Sequence, residues 1–262
     1  MLQSVRIITD MLGRDVEFSF PPKRIVSVVP SQTELLHYLG LEDEVAGITK
    51  FCVHPENWFR NKTRIGGTKK LNIEKIRELR PDLIIANKEE NERDQIEELA
   101  KEFPVWISDI QNIPQALQMI QVVGQLTGKE AKANELVDEV VTGFTNLQKA
   151  TTPKRVAYFI WYNPWMSVGH DTFISNMIHT IGWQNVLQHE SRYPEVNFEH
   201  LKELNPELVL LSSEPFPFKE KHLDEIKAIL PNAEVKLVDG EMFSWYGSRM
   251  KDAVGYMDNL VK

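Results

Sequence analysis

Apolar residues along this chain fall into two kinds of run. Short blocks such as Ile25–Val29, Leu83–Ala86, Val105–Ile107, Val156–Ile160 and Leu208–Leu211 are almost continuously hydrophobic, the pattern of strands buried on both faces. Between them lie segments with apolar residues at helical spacing, among them Thr33–Gly40, Ile73–Leu79, Ser175–Gly182 and Phe198–Leu204. Pro81 and Pro206 follow two of these helices directly. A proline lacks the N–H that a continuing helix needs and disfavours helical geometry in the residue before it, so each predicts a helix stop and a strand start.

The order of runs repeats. Asn72-Ile-Glu-Lys-Ile-Arg-Glu-Leu-Arg-Pro-Asp-Leu-Ile-Ile-Ala86 aligns without gaps on Asn197-Phe-Glu-His-Leu-Lys-Glu-Leu-Asn-Pro-Glu-Leu-Val-Leu-Leu211, at a constant offset of 125 residues. Weaker matches extend the repeat: Arg24–Val29 with Arg155–Ile160, Thr33–Gly40 with Ser175–Gly182, and Val105–Asp109 with Val235–Asp239. Each half reads strand, helix, loop, helix, strand, helix, strand, which predicts a parallel α/β sheet in each. The period is too long for a solenoid and points to a duplicated lobe. Between the halves the pattern turns wholly helical. Pro114–Leu126 predicts one helix and Lys129–Lys149 a second, with Ala133, Val137, Val140, Phe144 and Leu147 on one face. The boundaries read 1–126 for an N-terminal α/β lobe, 127–150 for a linker helix and 151–262 for a C-terminal α/β lobe.

Composition narrows the function classes. The chain is of ordinary globular make-up, with a formal net charge of −8 and no basic stripe, which argues against nucleic-acid binding. Its single cysteine, Cys52, cannot form an intramolecular disulfide and leaves the redox compartment open. The apolar runs are far short of a membrane span. The first 20 residues carry Arg6, Asp10, Arg14, Asp15 and Glu17 and no secretory apolar core, so the sequence leaves export and cytoplasmic retention both open.

In open α/β sheets ligands bind beyond the carboxyl ends of the strands. The loop after the first strand of the N-terminal lobe is Pro30-Ser31-Gln32-Thr33-Glu34. Ser31 and Glu34 have capping-box spacing, and Ser31 with nearby helix N–H groups could also meet a ligand. The matching loop of the second half holds Trp161, Tyr162 and Trp165, and a later loop holds Phe243, Trp245 and Tyr246. If both open on one edge, their rings form a wall for a large planar ligand; otherwise they are a local apolar patch. The loop from Phe51 to Trp58 adds Cys52 and His54, either an ordinary thiol and imidazole or ligands toward a metal carried by the bound molecule. His170, in a glycine turn, could border the same edge. Glu74 and Glu199 occupy equivalent first turns. They can serve only the helix termini, or present two equivalent carboxylates to a two-fold symmetric partner carrying arginines. Signatures of nucleophile elbows, dinucleotide loops, P-loops and zinc proteases are missing, and Gly66-Gly67-Thr68-Lys69 reads as a turn before the helix at Asn72.

Taken together, Ile25-Val-Ser-Val-Val-Pro-Ser-Gln-Thr-Glu-Leu-Leu36, Ile65-Gly-Gly-Thr-Lys69 and Ile73–Asn87 resemble the class III substrate-binding proteins of ABC importers, the helical-backbone metal receptors that carry vitamin B12, haem and ferric siderophores. The resemblance covers almost the whole chain. It implies two Rossmann-like parallel-sheet lobes joined by a single long backbone helix, a ligand held between them, and no catalysis. It implies a monomer without intrinsic cofactor that delivers its cargo to a membrane permease dimer from the periplasm or cell surface. By position it assigns Pro30, Ser31, His54, Trp58, Trp161, Tyr162, Trp165, Trp245, Tyr246 and Arg249 to the ligand, with His54 as an axial ligand to its metal, and Glu74 and Glu199 to permease docking. Cobalamin is the expected cargo, because Arg249 alone offers the positive charge that anionic chelates need. A ferric siderophore or haem carrier of the same fold, a cytoplasmic corrinoid or haem chaperone, and an enzyme using the Cys52–His54 loop are the competing readings.

Overall fold

The computed structural model describes residues 4–262, which divide into two compact units. The first comprises the chain up to Asp109 with Pro114–Val141 and Tyr246–Arg249; the second comprises Ile110–Ile113, Thr142–Trp245 and Met250–Lys262.

The first unit opens with an antiparallel hairpin, β1 (Ser4–Thr9) on β2 (Asp15–Phe20). Its turn is fastened by Asp10, whose carboxylate accepts from the Leu12 and Arg14 N–H groups and from the Arg14 guanidinium. Val16 and Phe18 face inward, whereas Val5 and Ile7 are exposed. A five-stranded parallel sheet follows, built from β3 (Ile25–Ser27), β4 (Val45–Ile48), β5 (Thr63–Arg64), β6 (Leu83–Asn87) and β7 (Val105–Ser108) in the order β5-β4-β3-β6-β7. Helices α1 (Pro30–Tyr38), α2 (Glu56–Asn61), α3 (Ile73–Leu79) and α4 (Arg93–Ala100) connect the strands. On one side of the sheet, Val26, Ile84, Ala86 and Val105 pack with Ile76, Ile96 and Leu99, as continuously apolar strands require.

Two helices follow, α5 (Ile113–Thr127) and α6 (Glu130–Asn146). They approach closely: a side chain at Gly124 would come within 2.5 Å of Ala133 Cβ. Helix α6 is shorter than the expected Lys129–Lys149, about 25 Å at 1.5 Å per residue, and the chain passes from the first unit to the second along it. Its fully buried residues are Ala133, Leu136 and Val140; Leu136 takes the place expected of Val137, because in a straight helix the buried stripe drifts with the 3.6-residue period.

The second unit contains β8 (Arg155–Trp161), β9 (Met166–Ser167), β10 (Gln184–Asn185), β11 (Leu208–Ser212) and β12 (Glu234–Val238), in the order β10-β8-β11-β12. That path is parallel, but β9 pairs antiparallel with β8, so this sheet is mixed where a purely parallel one was expected. The cause is local: the Tyr162–Trp165 turn sends the chain straight back along the strand it has left. Helices α7 (Phe173–Thr180), α8 (Phe198–Leu204), α9 (Glu220–Ile229), α10 (Glu241–Ser244) and α11 (Met250–Leu260) complete the unit.

The duplication extends to individual hydrogen bonds. Asn72 Oδ1 accepts from Lys75 N–H, and Asn197 Oδ1 accepts from the Glu199 and His200 N–H groups. At the other ends, Arg80 (φ 46°) and Asn205 (φ 44°) are left-handed, each directly before its proline. The next residue in each repeat, Asp82 or Glu207, then fastens the start of β3 or of β8. Asp82 accepts from the Lys23 and Arg24 N–H groups at 2.7 and 2.8 Å, and Glu207 from Arg155 N–H at 2.9 Å.

Candidate functional site

Strand order reverses at β3 in the first sheet and at β8 in the second, so the loops leaving their carboxyl ends stand at the positions where open α/β sheets bind ligands.

In the first unit, α1 begins at the carboxyl end of β3. Val29 is its N-cap and makes no side-chain cap bond, and Pro30 occupies the first turn, where a missing N–H costs nothing. The expected Ser31–Glu34 capping box is therefore absent. Ser31 lies inside the helix and is almost buried, and Glu34 turns instead to Arg249. Thr33 donates to Val29 O, and Gln32 to Ser108 Oγ. For Cys52 the structure supports the ordinary-thiol reading of the two left open by the sequence. Its thiol is fully buried between Thr33 Oγ1 (3.1 Å) and Thr49 Oγ1 (3.2 Å), and burial pushes its pKa up. It is a structural group rather than an available soft ligand. Trp58 is a correction: it is wholly buried, donates to Glu42 and lies edge-on to His37 at 5.2 Å, with no surface left for a ligand. His54 stays half-buried in the same loop, beside the exposed Phe51 and Val53. The Gly66-Gly67-Thr68-Lys69 turn is observed: Gly66 has φ +100°, and a Cβ there would lie 2.5 Å from Lys70 O. At the end of β6, Asn87 Oδ1 holds the next turn by accepting from Glu89 and Glu90 N–H. Loss of hydration raises the Glu90 pKa.

The segment Tyr246–Arg249 also belongs to this unit. A Cβ on Gly247 would lie 3.5 Å from Ser31 O and 3.4 Å from Leu35 Cβ, so this backbone runs against the first turns of α1. Arg249 then grips Glu34 side-on, Nε to Oε2 at 3.0 Å and Nη2 to Oε1 at 2.5 Å. Tyr246 is mostly buried.

In the second unit, the loop after β8 carries the expected Trp161, Tyr162 and Trp165, and the segment Glu214–Phe218 after β11 brings further rings to it. Trp161 meets Phe216 at 5.9 Å, and Tyr162 meets Phe216 at 5.5 Å and Trp165 at 5.0 Å. Trp165 stacks on Phe218 at 5.5 Å and 19° and touches Phe159 and Phe198, so it is chiefly a packing residue. Trp161 is the most open of the group, 40% exposed. The Glu225 charge raises the Tyr162 pKa. Phe216, Phe218 and His222 were not anticipated; their sequence signal is the alternation Pro215-Phe216-Pro217-Phe218, apolar rings in a segment too rich in proline to be a central strand.

The other aromatic loop behaves differently. Phe243 is core, against Tyr158 at 5.0 Å, and Trp245 is nearly buried with its indole N–H on Glu214 Oε1 at 2.8 Å. Ser244 Oγ donates to the same oxygen at 2.6 Å. Glu214 thus joins the 243–245 loop to the segment that carries Phe216. His170 is exposed, with Nδ1 2.7 Å from Glu190 O.

Glu74 and Glu199 lie in the first turns of α3 and α8, with side chains 76% and 82% exposed. Each meets the cation three residues on: Glu74 with Arg77 at 2.5 Å, Glu199 with Lys202 at 2.8 Å. Among the described residues no group of three metal-ligating side chains forms, and no helix is long and apolar enough to cross a membrane.

With this geometry in place, the chain was compared with known proteins. It is 29% identical over 214 residues to the ABC transporter substrate-binding lipoprotein YvrC of Bacillus subtilis (strain 168), covering 78% of this chain and 68% of that one. It is 26% identical over 196 residues to the vitamin B12-binding protein of Photorhabdus laumondii, covering 73% and 71%. The siderophore-binding protein BauB, solved with acinetobactin and ferric iron, superposes with a TM-score of 0.81 at 18% identity, covering 99% of both chains, a likeness of fold. The family model for periplasmic binding proteins matches residues 25–237, both sheets included, and the chain therefore belongs to that family of solute-binding proteins, which are not enzymes.

Proposed function

We propose that this protein is the substrate-binding component of an ABC importer, that its cargo is a metal chelate of the corrinoid type, with cobalamin foremost, and that it delivers this cargo to a membrane permease from the outer side of the membrane. The observation that carries the cargo class is the ring cluster at the carboxyl edge of the second sheet. Trp161 is open there and Tyr162 and Phe216 flank it, an apolar surface of the kind that takes the face of a large, flat ligand. In the first unit, Pro30, Ser31 and the His54 loop lie at the corresponding carboxyl edge of their own sheet, where the first turn of α1 has no side-chain cap for its N–H groups; His54 is the residue we assign as a ligand to the metal of the cargo. YvrC supports the transport role and the vitamin B12-binding relative supports the cargo. BauB favours a second reading, a ferric siderophore on the same fold.

The test is an absorbance and tryptophan-fluorescence titration of the purified protein with cyanocobalamin, haem and a ferric siderophore. Saturable binding of cyanocobalamin is expected, and Trp161→Ala should weaken it by roughly tenfold, the scale of one lost aromatic contact with its buried area. Saturation by the siderophore alone would favour the second reading. No saturation by any of the three would reject the chelate class.

A further inference from the structure

Strands β7 and β12 stand at the ends of their sheets, so each has one side of its backbone without a neighbouring strand of that sheet. The repeat makes them counterparts, Val105–Asp109 against Val235–Asp239, yet they meet the same problem differently. Strand β12 reads Glu234-Val-Lys-Leu-Val238. Glu234 and Lys236 pair at 2.7 Å with half-exposed side chains, and Leu237 is exposed as well. Charged side chains on an edge strand discourage pairing with another chain. Strand β7 reads Val105-Trp-Ile-Ser108 and carries no charge. A short run of β-branched and aromatic residues without charge is the kind of edge on which a foreign strand can add.

The edge of β7 is nevertheless occupied. Ile84 and Lys88 donate their N–H groups to Pro104 O and Ser108 O, so the alternate carbonyls of Val105 and Ile107 face away from β6. The turn between β1 and β2 takes both: Ile107 O accepts from Met11 N–H at 3.0 Å, and Val105 O from Arg14 Nη2 at 3.4 Å. Trp106 Nε1 donates to Thr9 O at 3.4 Å beside them. The turn is shaped for this task by Asp10, whose side chain is fully buried. Its Oδ1 accepts from Leu12 and Arg14 N–H, both at 2.9 Å, and its Oδ2 from Arg14 Nε and Nη2 at 2.8 and 2.6 Å. The carboxylate thus fixes the loop and aims the guanidinium that reaches the strand, with charge-assisted bonds that hold its direction.

We infer that the Asp10–Arg14 turn is an edge plug: it seats on the free side of β7 and denies that edge to the β7 strand of a second copy of this chain. A second copy is the occupant the edge suits, because an uncharged strand can lie against its own duplicate without setting like charges opposite one another. Each copy would also bring the same outward carbonyls and the same apolar side chains. In the second unit Glu234 and Lys236 do by charge what the turn does here by cover.

The experiment compares wild type, the Asp10→Ala, Arg14→Ala double variant and Met11→Pro by sedimentation velocity over a wide range of concentration, with hydrogen exchange followed in the 10–14 and 104–109 segments. Met11 is the second residue of the turn that Gly13 N–H closes on Asp10 O, a position that suits proline, so Met11→Pro removes the donor to Ile107 O and keeps the turn. Wild type is expected to sediment as one species throughout. The double variant should exchange faster at 10–14 and rise with concentration to about twice the monomer mass, the step to a two-fold dimer, while exchange at 104–109 slows as it associates. Met11→Pro should do the same more weakly. A folded double variant that loosens at 10–14 and stays monomeric overturns the inference. So does association that leaves 104–109 unprotected, or a wild type that itself associates with protection there. Should the double variant fail to fold in a thermal melt, Met11→Pro decides alone: association with protection at 104–109 upholds the plug, and an unchanged monomer overturns it.

Discussion

At the scale of single residues, two buried polar side chains set measurable properties. Cys52 is held neutral by burial. In the unfolded chain its thiol ionises near its ordinary value of 9.0, and in the folded chain only at higher pH. The stability it contributes is therefore complete below pH 9 and is lost as pH rises beyond it. Urea unfolding at pH 7 and pH 10 should show wild type losing more stability than Cys52→Ala over that interval. A thiol reagent at pH 7 should leave the native protein unlabelled and label it once denatured. His222 is the second case. Its Nδ1 accepts from Lys219 N–H at 2.9 Å, so its neutral form carries the proton on Nε2, and that atom is buried without a hydrogen-bond partner among Tyr162, Phe216 and Phe218. The imidazole is therefore a packing block that seats the Phe216 segment against the Tyr162 loop. His222→Ala should cost about 2 kcal/mol, at the lower end for truncating a buried ring or large side chain, and should weaken binding at Trp161. Retention of full stability would show that the ring cluster does not depend on it.

At the scale of elements, the duplicated helix–proline–strand unit was legible because each part is local chemistry: an asparagine cap, a proline stop, a two-sided apolar strand. Asn72→Ala and Asn197→Ala should each lower stability by about 1 kcal/mol, the usual value of an N-cap. Because the two caps lie in separate units and share no partner, their effects should add in chemical denaturation of the double variant. The hairpin β1–β2 goes beyond the sequence reading although its alternation, with Val16 and Phe18 inward and Val5 and Ile7 outward, is a period-two pattern; its two strands pair only with each other, apart from the repeat that marks the other elements. The Ser31–Glu34 capping box failed for a nonlocal reason. Pro30 already starts the helix, with its N-cap at Val29 two positions before Ser31, and the Glu34 partner lies 215 residues away. Trp58, Phe243 and Trp245 were misread for the same cause: residue type identifies a ring that suits a ligand or a core equally well, and only packing decides between them. The turn between Trp161 and Trp165 is visible in the sequence because Asn163 and Pro164 interrupt the strand pattern there, whereas the rings at Phe216 and Phe218 come to it from more than fifty residues on.

At the scale of the whole chain, the duplication provides two equivalent acidic first turns, one in each unit, which the proposed importer role would use to engage a two-fold permease. Glu74 and Glu199 are largely exposed, and the cations beside them, Arg77 and Lys202, are themselves related by the 125-residue repeat. The two first turns differ in surroundings. Arg77 also binds Glu98 at 2.8 Å and Glu102 at 2.6 Å, and hydrogen bonds from Arg77 lower the Glu102 pKa. Glu74 thus belongs to a surface network that divides one guanidinium among three carboxylates. Exposed pairs of this kind contribute about 0–1 kcal/mol, so charge reversal at either glutamate should leave the fold standing. The expected result for the Glu74→Arg, Glu199→Arg double variant is loss of transport in a reconstituted importer, with chelate affinity and the thermal melt close to wild type. Single reversals should each leave partial transport, because the other glutamate would still be there to engage its half of the permease. Raising the salt concentration should weaken capture of wild type by the permease more than it weakens chelate binding, since exposed charges are screened over about 8–10 Å under ordinary ionic conditions. Undiminished transport by the double variant would mean that the paired acids serve only their helix termini, and that the permease reads some other feature of the two units.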